Sequence, residues 1–366
     1  MFLSRFNDRF EKRVYKFFHK VSTKSTPVFI KSELRQLMQE DLVRVMLILE
    51  WKFKGYKKLK KSKRARLYKN LVNLTDAFLR FIRFYEEQEL EPGQTLDQEK
   101  YLDLIRQFLH PSKYVQYEAG VSFEKLLRDP DKEKLVGDCN QLCALYTYFY
   151  SLRFPIQDLK TKLIKGRVCL RFGDQDLECT AGAWTQHDEY LRIANIEELI
   201  PIDLLDVNEK GAKTFSLSPE TQLKAAELSY TLSSNRTIAL KNLKSAYHNL
   251  CIHALDQESF GKALSYARKA ENLNLINSVI QEKGRYYLRD KQFNRARKEF
   301  RKIRNQSLLK MVDQQEINHL IGKLKNCKTV EDYKKKKSTL LHIKKLSYKL
   351  NNRKILEFCQ DLLKKI

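Results

Sequence analysis

The sequence has few residues that interrupt helices and no arrangement of cysteines typical of a metal site. Its 366 residues include only 11 glycines and 7 prolines. Both residue types are unfavourable inside helices, so their scarcity favours a mostly helical chain. The 7 cysteines are odd in number and no two are spaced as Cys-x-x-Cys, which argues against a disulfide framework and a zinc site. We therefore expect no metal, no cofactor and a reducing, cytoplasmic location.

Long apolar runs and several catalytic motifs are also missing. The longest apolar run, VMLILEW at 45–51, is far too short to cross a bilayer. Charged residues interrupt the first 21 positions, where a secretion signal would need an apolar stretch. No Gly-rich phosphate loop and no His-Glu-x-x-His motif occurs. We expect no membrane span, and the sequence does not indicate nucleotide or zinc-peptidase chemistry.

Positive charge is what the sequence has in excess. There are 70 Lys and Arg residues against 45 Asp and Glu, a formal net charge of +25. Such a charge predicts attraction to an acidic protein, a nucleic acid or an anionic membrane face. The alternative is a lysine-rich surface without a specific partner. With 42% hydrophobic residues the chain is globular, and it is long enough for two or three domains.

The N-terminal residues 2–21 place large apolar side chains at intervals of three and four. This spacing predicts a helix with one apolar face and a basic face opposite. Such a helix could lie on a membrane surface. Asp8 and Glu11 interrupt the basic face, so packing against the rest of the protein is favoured over membrane contact.

Residues 31–90 predict two long helices, 31–54 and 67–90, that form an α-hairpin with a basic connection. The connecting region, 52–69, contains ten Lys and Arg residues and no acidic residue. It is the best electrostatic candidate for phosphate contacts, although a solvated helix turn explains it equally simply. The candidate residues of this basic patch are Lys57, Lys58, Lys60, Lys61, Lys63, Arg64 and Arg66.

The middle of the chain changes from helical to strand-like patterns. Residues 99–128 predict another helix, and 138–152 predict a buried helix. Three short segments within 160–182 then alternate apolar and polar residues and are separated by Gly166 and Gly173. They predict antiparallel strands with a hairpin turn near Gly173. From 219 onward the pattern is helical to the end, so the expected fold class is α+β, mostly α.

The C-terminal part contains an internal repeat. Residues 245–275 align with 278–305 at a period of 33, which matches four positions with their equivalents: Phe260 with Phe293, Ala263 with Ala296, Ala267 with Phe300, and Ala270 with Ile303. Small residues at such positions allow two antiparallel helices to approach closely. This pattern resembles tetratricopeptide repeats, with flanking helices that extend or cap the stack.

The resemblance to tetratricopeptide repeats implies a surface that binds a peptide or a partner helix. Tyr247 stands where that family places its first large aromatic residue. We expect a protein partner with an acidic surface. The candidate contact residues are Tyr247, Asn249, Arg285 and Arg289. A purely structural helical array is the alternative.

The stretch VGDCNQLCALYTYFY at 136–150, followed by the strand pattern, resembles the transglutaminase-like, papain-related superfamily. In that family a cysteine begins a buried helix, and the next strands supply a histidine and an aspartate. The resemblance implies that Cys139 stands at the nucleophile position, where a helix N-terminus lowers a thiol pKa. Arg167 then stands at the histidine position and Glu178 at the aspartate position.

An arginine cannot accept a proton at neutral pH, so the resemblance implies a degenerate, inactive triad of Cys139, Arg167 and Glu178. His187 is the nearest histidine, but it follows the strands instead of lying in one. An active site with a displaced base and a simple buried core thiol both remain alternatives.

These observations predict three domains: an N-terminal helical region at 1–112, a transglutaminase-like domain at 113–210, and a repeat domain at 219–366. The function they favour is a non-catalytic scaffold or adaptor that binds a protein partner. One alternative is a basic protein associated with nucleic acid or the ribosome. A second alternative is a cysteine hydrolase or transamidase that uses Cys139 with a displaced base.

Overall fold

The structure, a computed structural model, describes residues 5–53, 59–91, 93–205 and 218–366. The chain divides into two compact units, Met1–Ala246 and Tyr247–Ile366, named here the first unit and the second unit. The described residues are mostly helical, with a small antiparallel sheet in the first unit and only helices in the second. This confirms the coarse fold class, α+β and mostly α.

The first unit is built from helices around one apolar core. Its helices are α1 (Arg9–Lys20), α2 (Pro27–Phe53), α3 (Lys61–Glu89), α4 (Gln98–Phe108), α5 (Cys139–Ser151), α6 (Leu199–Leu205), α7 (Pro219–Leu232) and the start of α8 (Arg236–Asp256). Apolar side chains from α1 through α7 form a single buried cluster. Residues of the predicted regions 1–112 and 113–210 thus share one core.

The apolar face of α1 packs into this core. Phe10, Val14, Phe17 and Phe18 are all buried. The side chain of Asp8 caps the helix by accepting the backbone N–H of Glu11 at 2.9 Å. The face that was considered for membrane contact is therefore covered by the protein itself.

Helix α2 contains a kink that the periodicity of the sequence does not reveal. Asp41 has an extended backbone, with φ −166° and ψ 87°. Its carboxylate accepts the backbone N–H of Arg44 at 2.9 Å, as an N-cap residue does. The predicted single helix over 31–54 is thus two helical segments joined at Asp41.

The predicted helix over 99–128 is wrong beyond Phe108, where α4 ends. Pro111 follows three residues later, and proline disfavours a helical conformation both at its own position and at the residue before it. The chain then forms strand β1 (Val115–Tyr117), which pairs in parallel with β2 (Leu135–Gly137). Strand β2 leads directly into α5.

A five-stranded antiparallel sheet follows α5. Its strands are β3 (Leu159–Ile164), β4 (Arg167–Phe172), β5 (Gln175–Glu178), β6 (Ala183–Thr185) and β7 (Arg192–Asn195), in the spatial order β6-β5-β4-β3-β7. Phe172 pairs with Gln175, so a two-residue turn joins β4 and β5, and Gly173 has φ +54°. The predicted strands and the predicted hairpin turn at Gly173 are confirmed. Helix α5 packs against β4.

The second unit consists of the end of α8 and seven further helices. These are α9 (Phe260–Lys269), α10 (Leu273–Arg289), α11 (Phe293–Lys302), α12 (Gln306–Leu324), α13 (Val330–Lys335), α14 (Lys337–Lys349) and α15 (Arg353–Lys365). Helices α9 and α11 start 33 residues apart, as do α10 and α12. The prediction that the chain is helical from 219 onward is confirmed for the described residues.

The backbone repeats with the period that the sequence indicates. Glu258 and Lys291, which are 33 residues apart, both have a positive φ after a helix, as do Glu271 and Arg304. Asn272 and Asn305 both cap the following helix through their side chains. The ring of Phe300 lies against Gly284, where no side chain intervenes. The 33-residue period is therefore a period of the structure as well.

Candidate functional site

Helix α5 begins at Cys139 because Asp138 and Gln141 cap its first turn with two reciprocal hydrogen bonds. The carboxylate of Asp138 accepts the backbone N–H of Gln141 at 2.9 Å, and the Gln141 side chain accepts the N–H of Asp138 at 3.2 Å. This reciprocal arrangement is a capping box. Cys139 is therefore the first residue of α5, and it is half-buried.

The capping box is anchored to the core by Glu50, which the sequence analysis did not identify. Glu50 is fully buried in α2. Its two carboxylate oxygens accept the amide of Gln141 at 3.0 Å and the backbone N–H of Phe123 at 2.8 Å. The start of α5 is thus held by α2 and by the segment that precedes β2.

Glu178, at the end of β5, is the centre of the polar site. Its side chain is only 5% exposed. Oε1 accepts the hydroxyl of Thr180 at 2.7 Å, whereas Oε2 accepts no hydrogen bond from any described residue. Arg167 Nη1 and His187 Nε2 each lie 3.6 Å from Oε2. The structure therefore brings Arg167 and Glu178 together and adds His187 to the same carboxylate.

His187 is held in place by a buried ion pair on the sheet. Lys162 Nζ lies 2.6 Å from Asp176 Oδ2 and donates to the carbonyl oxygen of His187 at 2.6 Å. Asp176 also accepts the backbone N–H of His187 at 2.9 Å. Burial alone would raise the pKa of Asp176, but the bonds from Lys162, His187 and Arg171 outweigh it and lower the pKa. His187 thus has a defined backbone position, although it lies outside the strands.

Tyr117 on β1 pairs with Gly137 of β2, the strand that leads into α5. Burial raises the pKa of Tyr117, and the electrostatic effects of Cys139, Asp138 and Glu178 raise it further. Tyr117 is nevertheless 50% exposed. The phenol is therefore accessible to solvent on the strand pair that precedes α5.

Three further thiols lie beneath this region. Cys143, Cys169 and Cys179 are buried, and burial raises the pKa of each of them. Cys143 and Cys179 share a hydrogen bond. High pKa values keep these thiols protonated, so they act as small core residues and not as nucleophiles.

This arrangement has a limited range of chemistry. Arg167 carries a permanent charge and can pair with Glu178, but it cannot take a proton from a thiol. His187, the other group beside Glu178, has an imidazole, which is a side chain that enzymes use as a general base. The side-chain hydroxyl of Thr185 lies 3.1 Å from Nε2 of His187. The sequence signal that pointed to His187 was its place directly after three predicted strands.

The predicted basic patch is only partly on the surface. Lys57 and Lys58 lie outside the described residues, whereas Lys60, Lys61 and Arg66 are exposed. Lys63 is half-buried and pairs with Glu124 at 2.5 Å.

Arg64 does not belong to the basic patch, and its assignment to that surface is corrected. It is 1% exposed, forms an ion pair with the buried Glu11, and lies 3.7 Å from the ring centre of Trp51. Its charge is neutralised inside the core, which leaves no guanidinium for a phosphate.

The four predicted partner-binding residues lie on α8 and α10. Tyr247 stacks on Tyr266, with ring centres 6.4 Å apart. Arg285 pairs with Glu282 at 2.9 Å, and Arg289 pairs with Glu258 at 2.5 Å. Both arginines are more than half exposed, and Asn249 is exposed. Their role in binding remains a prediction.

Neither a membrane-spanning helix nor a cluster of metal ligands occurs within the described residues. No helix in these ranges combines the length and the apolar character needed to cross a bilayer. No group of three or more His, Cys, Asp and Glu side chains in the same ranges is arranged to hold a metal ion.

Comparison with known proteins leaves the family of the chain open. No protein-family model matches the sequence. No curated protein matches it at a significant level. Among solved structures, the chain is similar to one described as "Crystal structure of menin reveals the binding site for Mixed Lineage Leukemia (MLL) protein". The match has a TM-score of 0.37 and 10% identity, and covers 91% of this chain and 81% of the menin chain. A similarity at this level supports no inference about fold or function.

Proposed function

We propose that this chain is a non-catalytic scaffold of the cytoplasm, in which a transglutaminase-like domain is combined with tetratricopeptide-like repeats that bind a protein partner. The observation that carries the proposal is the 33-residue repeat of helix starts and helix ends in the second unit. Stacked helical hairpins present an extended surface and are used for binding much more than for catalysis.

The site in the first unit supports the non-catalytic part of the proposal. Cys139 at the start of α5, Arg167 at the start of β4 and Glu178 at the end of β5 follow the order of the transglutaminase-like family. Arg167 lies 3.6 Å from Glu178. A guanidinium in this position neutralises the carboxylate but offers no base for an acyl transfer.

The experiment for the scaffold function is affinity capture with the full chain as bait. The test variant carries Arg285→Glu and Arg289→Glu, and the control variant carries Lys310→Glu and Arg353→Glu, which have the same net charge. We expect the wild type and the control to recover one defined protein that the test variant loses. Recovery of no defined protein by the wild type would contradict the proposal.

A second candidate function, a cysteine hydrolase or transamidase, is favoured by one observation. His187 Nε2 lies 3.6 Å from Glu178 Oε2, so the carboxylate has an imidazole beside it as well as a guanidinium. In this alternative His187 is the displaced base, and it would transfer the proton of the Cys139 thiol.

Alkylation kinetics separate the two functions. Each thiol is followed by mass spectrometry during reaction with iodoacetamide at about pH 6, where an ordinary thiol reacts slowly and an activated thiolate reacts fast. Cys327, which is half-buried in the second unit, serves as the internal reference. The scaffold proposal predicts that His187→Ala leaves the ratio of the Cys139 rate to the Cys327 rate unchanged, because a helix N-terminus can activate Cys139 without any base. A fast rate at Cys139 that His187→Ala abolishes would replace the scaffold with the enzyme.

A further inference from the structure

Most of the net positive charge of the chain lies in the second unit. Residues 247–366 contain 28 Lys and Arg against 12 Asp and Glu, a net charge of +16 out of the total of +25. Half of those acidic residues are already used in ion pairs within the unit: Glu258, Glu282, Glu299, Asp313, Glu316 and Glu331. The remaining cations are therefore a surplus that the unit itself does not neutralise.

This surplus is ordered by the repeat. Helices α9, α11 and α13 end at Lys269, Lys302 and Lys335, which are spaced by 33 residues. The second unit therefore contains a third copy of the repeat, around α13. Three positions are basic in every repeat. The nine residues, named here the cationic ladder, are Lys262, Arg268 and Lys269, then Arg295, Arg301 and Lys302, then Lys328, Lys334 and Lys335.

All nine residues of the cationic ladder are exposed. On α9 and α11 the three positions fall within about 120° of the helix circumference, given a turn of about 100° per residue. The opposite side of these helices packs in the interior through Ala263 and Ala267, and through Ala296 and Phe300. Equivalent positions in successive repeats face the same side of a helical array. The ladder is thus one surface and not nine scattered charges.

The cations of the ladder have little to neutralise them. Seven of the nine form no ion pair with any residue in the described ranges, and the other two each pair with a glutamate on their own helix. Lys302 lies 2.5 Å from Glu299, and Lys334 lies 3.8 Å from Glu331. Carboxylate is therefore the group that the ladder already binds within the molecule.

The composition of the cationic ladder also indicates whether its ligand is an acidic polypeptide or a nucleic acid. Proteins that hold single-stranded nucleic acid add aromatic side chains on which bases stack, and readers of duplexes insert an element with base-contacting residues into a groove. None of the nine positions is aromatic, and the neighbouring rings of Tyr247 and Tyr287 are already covered by the ladder cations Lys269 and Arg295. Helix α13 spans only Val330–Lys335. These features favour a chain of carboxylates over a chain of stacked bases.

We propose that an extended, acidic polypeptide segment of the partner lies across the cationic ladder on α9, α11 and the segment around α13. This inference rests on the proposed scaffold function and names the face and the chemistry of the partner. It adjoins the surface predicted from the sequence on α8 and α10, because Lys269 Nζ lies 5.3 Å from the ring centre of Tyr247.

The test variant reverses one position in each repeat: Lys262→Glu, Arg295→Glu and Lys328→Glu. Lys262 and Arg295 lie in the first turn of α9 and α11, and Lys328 directly precedes the Thr329 cap of α13. Negative charge is favourable at helix N-termini, so these changes are expected to leave the helices stable. The control variant, Lys310→Glu, Arg353→Glu and Lys354→Glu, makes the same change of net charge in a separate depression of the second unit that these residues line.

The probe is a fluorescent glutamate-rich peptide of about 20 residues, which spans roughly 65 Å when extended. Anisotropy titrations use the full chain at low salt and again at about 0.15 M salt. We expect the test variant to lose at least tenfold in affinity and the control to lose less than threefold. Wild-type binding should weaken as salt rises, because the contacts are ionic.

Three outcomes would overturn the inference. The first is no binding of the peptide by the wild type, and the second is an equal loss in both variants. The third is tighter binding of a single-stranded RNA of equal charge with the same sensitivity to the ladder, which would assign the surface to nucleic acid. If the ladder variant binds the peptide as tightly as the wild type, the inference fails but the scaffold function stands. This holds provided that affinity capture still recovers a partner that the Arg285→Glu and Arg289→Glu variant loses.

Discussion

Two buried ion pairs in this chain each join different elements of the fold. Lys162 and Asp176 lie on β3 and β5, and both are nearly fully buried. Glu11 and Arg64 lie on α1 and α3. A buried charge without its partner is very unfavourable, so such pairs fix which segments meet. The Lys162–Asp176 pair also holds the backbone of His187 beside Glu178 through two hydrogen bonds.

Removal of one member of the Lys162–Asp176 pair should be strongly destabilising. Lys162→Met leaves Asp176 buried with Arg171 as its remaining cationic partner and removes a hydrogen bond to His187. We expect the free energy of unfolding to fall by about 3–5 kcal/mol, as for other broken buried pairs. Urea denaturation measures this change. Lys165→Met, at an exposed lysine of the same hairpin, is the control, and an equal effect of both substitutions would contradict the prediction.

Asp41 should make stability depend on pH. Burial raises the pKa of Asp41 to about 7, although the backbone N–H and the positive charge of Arg44 act to lower it. Between about pH 4 and pH 7 the folded chain then holds a proton that the unfolded chain has released, so stability falls as pH rises through this window. Three pKa units correspond to at most about 4 kcal/mol.

The pH effect is tested by comparing the free energy of unfolding at pH 5 and pH 8 in the wild type and in Asp41→Asn. Asparagine still caps the second segment of α2 but does not ionise. We expect the variant to lose most of the pH dependence and to be the more stable protein at pH 8. An unchanged difference between the two pH values would show that other groups cause it.

Whole elements of the second unit depend on close approach between helices. Helices α10 and α11 pack tightly because Gly284 has no side chain and the ring of Phe300 occupies the space. Five non-glycine residues in this unit end helices with a positive φ: Glu258, Glu271, Lys291, Arg304 and Asn351. This conformation disfavours most side chains, so the regular spacing of these ends reflects the repeat and not local preference.

Gly284→Ala should destabilise the second unit, although alanine favours helices. A Cβ at this position would lie 2.7 Å from two atoms of the Phe300 ring. We expect a loss of about 1–3 kcal/mol from overpacking. Gly322→Ala in α12 is the matched control, because a Cβ there meets nothing within 4 Å and should stabilise by roughly 0.5–1 kcal/mol. If Gly284→Ala were also stabilising, the close contact with Phe300 would be disproved.

At the scale of the whole molecule, charge is distributed unevenly between the two units. The first unit has 42 Lys and Arg against 33 Asp and Glu, a net charge of +9, whereas the shorter second unit has +16. Repulsion among like charges destabilises a compact state. The cationic ladder therefore costs stability in the isolated chain, which an acidic partner would recover.

Moderate salt should stabilise the isolated chain. Raising NaCl from about 10 to 200 mM shortens the screening length from roughly 30 Å to less than 10 Å and weakens the repulsion. We expect the thermal midpoint to rise for the wild type and to rise less for the variant Lys262→Glu, Arg295→Glu and Lys328→Glu. A midpoint that falls with salt would show that attractive ion pairs outweigh the repulsion.

Some features of the site could be predicted from sequence because they depend on neighbouring residues. Asp138 caps the helix that starts at Cys139, and Gly173 forms the turn that folds β5, which ends at Glu178, back against β4, which starts at Arg167. The contact of His187 with Glu178 could not be predicted in this way. It depends on Lys162 and Asp176, whose pairing forms only when β3, β4 and β5 assemble.

Four features could be predicted from the amino-acid sequence alone: the helical character, the strands within 160–182, the 33-residue period and the position of Cys139 at a helix start. These follow from side-chain periodicity and capping, which act over a few residues. Three features become visible only in the folded chain: Arg64 is buried, α2 bends at Asp41 and His187 lies beside Glu178. The burial of Arg64 and the contact of His187 depend on charge pairing between residues distant in sequence, and local preferences do not encode such contacts.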